Sequence, residues 1–246
     1  MPDNFTISSN KVVRLNLDPG VRSLVDEKSQ IVFEGPFSTS YSETYQAVYI
    51  LTKRGFDVVF SIVMLILLLP LFALISILIK VSSSGPIIFR HRRIGQFGEE
   101  FDCLKFRTMV DDAEKLLKKD PHMRREFDEK FKIDKDPRVT RLGDFLRRSS
   151  LDELPQLINI LRGNMTLIGP RPVIERELVR YSVHQGKLLS IKPGLSGLWQ
   201  VSGRSRTTYE ERVKLDLTYV EKRCFWMDIR IFFKTIITVL QGSGAR

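Results

Sequence analysis

Hydrophobic and polar residues fall along this chain in blocks of distinct character. Residues 1–51 mix short apolar runs such as Val12-Val13-Arg14-Leu15 with Ser, Thr, Asn and a Pro-Gly step. They read as an N-terminal extension with one or two strand-like pieces, and they hold no apolar signal-peptide core. The next block is unlike anything else in the chain. From Val58 to Ile79 it reads VVFSIVMLILLLPLFALISILI, 22 residues without a charge. At ~1.5 Å per residue a straight helix of this run would reach about 33 Å, against a hydrocarbon core of roughly 30 Å. Such length and all-round apolarity exceed what a buried helix of a soluble protein needs, so residues 52–81 are expected in a membrane.

The same segment carries signs that it does not cross. Lys53 and Arg54 precede the apolar run, and Lys80, Arg90, Arg92 and Arg93 follow it. Basic flanks prefer the cytoplasmic side, and a spanning helix cannot place both flanks there. Pro70, near the middle, deletes one backbone hydrogen bond and kinks a helix. Arms of about 12 and 9 residues would be ~18 and ~14 Å long, enough to dip in and return. The pattern therefore favours a re-entrant hairpin over a kinked spanning helix.

After Ser82-Ser83-Ser84-Gly85-Pro86 the polarity changes to that of a domain with its own core, residues 82–246. Ile87-Ile88-Phe89 and Phe101 to Phe106, around Ile94-Gly95-Gln96-Phe97-Gly98, predict a β-hairpin. Leu116, Leu117, Met123, Phe127 and Phe131 have helical spacing, which predicts one amphipathic helix over Asp111–Lys135. Further helices are expected from Ser150 to Leu161 and from Tyr209 to Tyr219. Phe225 to Leu240 mixes Trp226, Phe232, Phe233, Ile236 and Ile237 with Arg230 and Lys234, as a helix at a membrane interface does. The fold class that results is α+β and mainly helical: a small cytoplasmic domain on a re-entrant membrane hairpin, with interfacial amphipathic helices.

Charge narrows the partners. The chain has 39 Lys and Arg against 29 Asp and Glu. The excess lies beyond residue 52, because the first 52 residues carry four basic and six acidic side chains. A basic body calls for an anionic partner, whether nucleic acid, anionic lipid or a phosphorylated substrate. Cys103 and Cys224 form no CxxC pair, which suits a reducing compartment. His91, His122 and His184 lack ligand spacing, so zinc is not expected, and a catalytic metal would be a hard cation held by carboxylates and phosphates.

Candidate chemistry concentrates in Ser149-Ser150-Leu151-Asp152-Glu153-Leu154-Pro155. Proline is tolerated in a first helical turn, which puts Asp152 and Glu153 at a helix N-terminus, where N–H groups and the dipole favour ionised carboxylates. Ser150-x-x-Glu153 is equally a capping box that needs no catalysis. Basic residues surround the pair in sequence: Lys105 and Arg107 upstream, Arg141, Arg147 and Arg148 just before it, and Arg171 in the stiff Gly169-Pro170-Arg171-Pro172 loop. A carboxylate that attacks a diphosphate needs such cations to offset like-charge repulsion. In the stretch Gly194 to Arg204, glycines and serines would let backbone approach a phosphorylated donor, and Arg204 adds a cation; a tight packing loop is the alternative.

Several motifs together resemble the bacterial sugar transferase family, the monotopic polyprenyl-phosphate phosphoglycosyl transferases. They are Lys53-Arg54-x-x-Asp57, the apolar run with its proline, Gly85-Pro86-Ile87-Ile88-Phe89-Arg90, Arg93-Ile94-Gly95, Lys105-Phe106-Arg107-Thr108-Met109, Ser150 to Leu157, Gly169 to Pro172, and Lys192 to Arg204. Larger members carry a four-helix membrane bundle first, so the chain resembles the small type. The resemblance implies transfer of a hexose-1-phosphate from a UDP-sugar to undecaprenyl (polyprenyl) phosphate with release of UMP, at the cytoplasmic face of the bacterial inner membrane. It implies Asp152 as nucleophile through an aspartyl-phosphosugar and Glu153 as partner carboxylate, the two supplying ligands to Mg²⁺. Arg147, Arg171 and Lys105 match basic residues at the phosphate site, and Pro70 matches the proline of a re-entrant helix, although Leu69 replaces the family's usual serine before it. The expected partners are the nucleotide-sugar, the polyprenyl phosphate and anionic lipid; a homodimer is compatible with the pattern. A membrane-tethered nucleic-acid-binding protein would lack any recognised reading motif here and would misplace the acidic pair, and a non-catalytic scaffold would need neither Asp152 nor the Pro-Arg-Pro loop.

Overall fold

The computed structural model describes residues 12–13, 31–32, 43–130, 133, 136–203 and 207–241. Among them the architecture is mainly helical, with three two-stranded sheets. In the N-terminal block, β1 (Val12–Val13) pairs antiparallel with β2 (Ile31–Val32).

The apolar run forms two helices, α1 (Glu43–Leu67) and α2 (Leu69–Ser82), bent by 62° at their junction. Pro70 sits in the first turn of α2, where a missing N–H does least harm. Hydrogen bonds from Leu68 N to Met64 O and from Phe72 N to Leu68 O flank the bend. No single described helix is long and apolar enough to cross a membrane, whereas the bent pair is, by length and composition. Val59, Ile66, Leu67, Leu69, Ile77 and Val81 are all more than half exposed.

The opposite faces of this pair are tied to the rest of the chain by polar groups. Asp57 is buried; its Oδ2 accepts from Thr166 Oγ1 at 2.5 Å and its Oδ1 from Leu167 N at 3.2 Å. Arg54 donates to Ile160 O and Leu161 O at 2.6 and 3.1 Å, and Lys53 donates to Asp228 Oδ2 at 2.7 Å. Two basic residues that mark a flank in the sequence thus serve as joints between α1 and the polar domain.

The expected hairpin is present: β3 (Ile88–Ile94) pairs antiparallel with β4 (Glu100–Phe106), Ile88 opposite Phe106 and Ile94 opposite Glu100. It turns through Phe97 and Gly98, both at positive φ. The single helix expected over Asp111–Lys135 is instead two, α3 (Ala113–Lys119) and α4 (Pro121–Lys130). Pro121 cannot donate and disfavours helical backbone at Asp120, whose Oδ1 accepts from His122 N and Met123 N. The periodicity ran across a break that proline dictates.

After α5 (Arg141–Arg148) and a 3₁₀ turn at Leu151–Glu153, α6 (Gln156–Leu161) packs beneath β4. Asn159 of α6 binds the strand edge, donating to Asp102 O and accepting from Leu104 N. A parallel pair follows, β5 (Thr166–Ile168) with β6 (Gly194–Ser196). Between them lie α7 (Glu175–Leu178), a 3₁₀ stretch and α8 (Gln185–Leu189). Gly194 and Gly197 have a packing role of the kind the tight-loop alternative expects. A Cβ on either would fall 2.1 to 2.2 Å from Gly169 backbone atoms, so these glycines let β6 close on the Gly169-Pro170 loop. The described residues end in α9 (Leu198–Val201), α10 (Tyr209–Lys222) and α11 (Phe225–Leu240). Trp226, Phe233 and Ile237 of α11 are exposed while Ile231 is buried, the two-faced helix its sequence predicts.

Asp57→Leu is expected to lower folding stability by about 2–3 kcal/mol, because it strands the buried Thr166 hydroxyl and Leu167 N–H. Asp57→Asn, which keeps an acceptor, should lose less. Denaturant unfolding in detergent measures both.

Candidate active site

The acidic pair owes its position to its apolar neighbours. Leu151 and Leu154 pack into a cluster with Phe106, Leu146, Ile75 and Ile79. Asp152 and Glu153, between them in the 3₁₀ turn, line a cleft of about 2390 Å³. The turn opens at Ser150, which adopts left-handed backbone at φ 58° and makes no side-chain cap. The capping-box alternative is therefore overturned: the Glu153 carboxylate is turned away from the Ser150 N–H and bound elsewhere. The pair also precedes α6 by a full turn and does not sit on its N-terminus.

Glu153 is engaged through one oxygen. Its Oε1 accepts from Lys105 Nζ at 2.6 Å and lies 3.5 Å from Arg171 Nη1. Burial works against its charge, but Lys105 and Arg171 outweigh that and hold the carboxyl below the usual range. Asp152 is in the contrary state. Burial, reinforced by the neighbouring Glu153 charge, pushes its pKa up, against the pull of Lys105, Arg147 and Arg171. Among the described residues its carboxylate accepts no hydrogen bond. The helix-terminus account expected both acids to be held ionised alike; their surroundings divide them.

The model of the bacterial sugar transferase family matches residues 48–242. This chain belongs to that family. It is 50% identical over 198 residues to the UDP-galactose-lipid carrier transferase of Erwinia amylovora, which covers 78% of this chain and 41% of that protein. It is 47% identical, with the same shares covered, to the undecaprenyl-phosphate galactose phosphotransferase of Salmonella typhimurium. It is also 46% identical over 199 residues to the exopolysaccharide production protein ExoY of Sinorhizobium fredii, covering 79% of this chain and 88% of that one. The chain thus spans about two fifths of the first two relatives and most of the third.

The basic residues singled out in this sugar transferase sequence meet different fates. Lys105, Arg147 and Arg171 gather at the carboxylates, and Arg147 is aimed by its Nε donating to Thr108 Oγ1 at 2.9 Å. Arg107 lines the same cleft but is fixed toward the end of α2, its Nη2 donating to Ser83 O and Oγ at 2.7 and 2.8 Å. Its Nε and Nη1 are buried without hydrogen-bond partners. Arg204 lies outside the described residues. Arg141 and Arg148 also line the cleft, Arg148 pairing with Asp144.

Other members of the site were not read from the sequence. Arg93 Nη1 donates to Pro172 O at 3.0 Å and to Glu177 Oε2 at 3.2 Å, which pins the loop that carries Arg171. His91 shares its strand face; burial, then the charges of Arg93, Lys105 and Arg171, drive its pKa down to about 3, so it is neutral. The signal was the hairpin register, since His91 and Arg93 alternate on the face that presents Lys105. For metal, no three ligating side chains converge among the described residues. A divalent cation would rest on Asp152 and Glu153, with phosphate oxygens and water completing its shell, a donor set that suits Mg²⁺.

Ionising Asp152 costs the folded state stability, because its folded pKa is raised. The penalty is absent below the ordinary aspartate pKa and complete once pH has risen past the folded value. Asp152→Asn is therefore expected to be more stable than wild type at pH 7.5, by on the order of 1–3 kcal/mol. The difference should vanish toward pH 4 in denaturant unfolding. Lys105→Met removes a charge that lowers both pKa values, and should move the acid limb of any activity profile to higher pH.

Proposed function

We propose that this protein transfers a hexose-1-phosphate from a UDP-sugar to undecaprenyl phosphate, releasing UMP and initiating exopolysaccharide or another surface glycan. The observation that carries the proposal is the asymmetry of the acidic pair. Glu153 is bound by Lys105 and Arg171, while the adjacent Asp152 faces the cleft with its oxygens unspent. A carboxylate needs no general base to act as a nucleophile near neutral pH. The relatives' names, with galactose, glucose and undecaprenyl phosphate in them, support the substrate classes.

In this reading Asp152 attacks the phosphorus that bears the sugar. The bond from that phosphorus to the bridging oxygen breaks, and UMP leaves with the oxygen and its electron pair. An oxyanion of the polyprenyl phosphate then attacks the aspartyl phosphosugar and frees Asp152. Lys105, Arg147 and Arg171 offset the negative charge on the phosphoryl oxygens throughout. Mg²⁺, held by Asp152 and Glu153 with the diphosphate, would supply further neutralisation when bound. The bend at Pro70, the exposed apolar faces of α1 and α2 and the two-faced α11 support a re-entrant hairpin and an interfacial helix on the cytoplasmic side of the inner membrane. A nucleic-acid-binding role would set the acidic pair against phosphates without any chemistry to repay it.

With no lipid acceptor present, wild-type protein should release about one equivalent of UMP per chain and retain the labelled sugar phosphate covalently. Asp152→Asn should do neither, and Glu153→Gln should retain slow adduct formation with little turnover. Release that begins only once polyprenyl phosphate is added would overturn the two-step route.

For the topology, single cysteines placed at Ile50 and Ser83 should react with an impermeant reagent from the same side of the membrane. Pro70→Ala should straighten the bend and favour labelling from opposite sides; opposite-side labelling in the unaltered helix pair would sink the hairpin.

A further inference from the structure

One wall of the cleft is built from alternating guanidinium groups and aromatic rings, of which the chemistry at Asp152 uses only Arg171. Arg171, 3.5 Å from Glu153, has its guanidinium carbon 5.9 Å from the centre of the Trp199 ring. Arg212 lies 4.7 Å from the same ring and 5.1 Å from that of Tyr209. Arg180 lies 4.9 Å from the Tyr209 ring. All five side chains line the cleft, so the series Arg171, Trp199, Arg212, Tyr209, Arg180 leads away from the carboxylate pair.

Packing alone does not account for Arg212. It is only 7% exposed, and its Nε and Nη2 make no hydrogen bond. Glu177 Oε1 at 3.3 Å and Asp216 Oδ2 at 3.8 Å face it, but Glu177 is shared with Arg93 and Asp216 accepts from Tyr181. Asp216 Oδ1 beside it is also buried without a partner, so Arg212 keeps donors, Nε and Nη2, that no described side chain has taken. Trp199 is held in place by its Nε1 donating to Thr207 Oγ1 at 2.7 Å. Rings that stack on a flat base, set between cations that attract phosphate, match a molecule combining an aromatic base with phosphoryl oxygens.

We propose that this series holds the nucleoside monophosphate half of the donor, the half that departs when the phosphosugar passes to Asp152. The proposal rests on the transferase reading and adds its leaving-group subsite. Arg171 joins the two: it touches both Glu153 and the Trp199 ring, so a nucleotide seated on the series has its diphosphate beside the acidic pair. Arg212 supplies donors to the nucleotide's oxygens, and Trp199 and Tyr209 supply the apolar faces for its base.

The test uses the full chain in lipid nanodiscs. The chain has two tryptophans, so Trp226→Phe leaves Trp199 as the sole reporter. UMP should change its emission in a saturable way, and uridine or inorganic diphosphate alone should bind more weakly. Tyr209→Leu and Arg212→Lys should raise both the UMP dissociation constant and the donor KM about tenfold or more. They should leave unchanged the rate at which preformed adduct passes to polyprenyl phosphate, a step that follows UMP departure; a merely structural role would slow that step too. Unaltered donor KM in both variants of a protein that turns over, or UMP binding with no response from Trp199, overturns the subsite. Should the wild type turn over no UDP-sugar, the transferase reading fails, and the UMP titration still decides the subsite.

Discussion

Two adjacent carboxylates cannot both be charged inside a half-buried cleft unless one of them is neutralised by the protein. The Lys105–Glu153 ion pair answers that constraint, and much of the domain can be read as what is needed to hold it. Lys105 is delivered by a strand whose edge is clamped by Asn159. Glu153 is delivered by a turn whose partly buried leucines pack against the core. Arg171 reaches the same carboxylate from a loop stiffened by prolines and pinned by Arg93. The outcome is an acid whose charge is settled beside another whose charge is not.

The left-handed backbone at Ser150 shows how local strain serves the same end. Were Ser150 to cap the turn, Glu153 would be drawn back to the main chain, and Lys105 would lose its partner. A non-glycine residue at positive φ is uncommon and costs free energy. Here the cost is offset by Leu151 and Leu154, whose burial fixes the turn from both sides.

How much of this was legible in the sequence depended on the range of the interaction. Local features read well: the apolar run and its break, the hairpin, and α11, whose bounds match its apolar pattern. The fault in the region Asp111–Lys135 came from weighing helical spacing above Pro121, a local signal that was present and outranked. The candidate site residues Asp152, Glu153, Lys105, Arg147 and Arg171 could be picked out because charged residues cluster in stiff segments and because their motifs resemble those of the sugar transferase family. Their division of labour was not legible, since it rests on which cation reaches which oxygen, Lys105 and Glu153 being 48 positions apart in the chain. Tyr209 and Arg212 share α10 at i, i+3 spacing, but Trp199 comes from α9, and no spacing in one dimension announces that its ring meets them.

The bonds that α1 makes have a consequence for the architecture as a whole. Arg54 closes the C-terminal carbonyls of α6, and Asp57 holds the first strand of the parallel pair. A tether could be cut and the catalyst would float free; a keystone cannot be lifted out of its arch. The bent apolar helix pair is of the second kind, so residues 83–246 on their own are a fold with two of its internal supports withdrawn. The helix pair and the polar domain form one structural unit, and a helix pair grafted from elsewhere would have to bring its arginine and its aspartate with it.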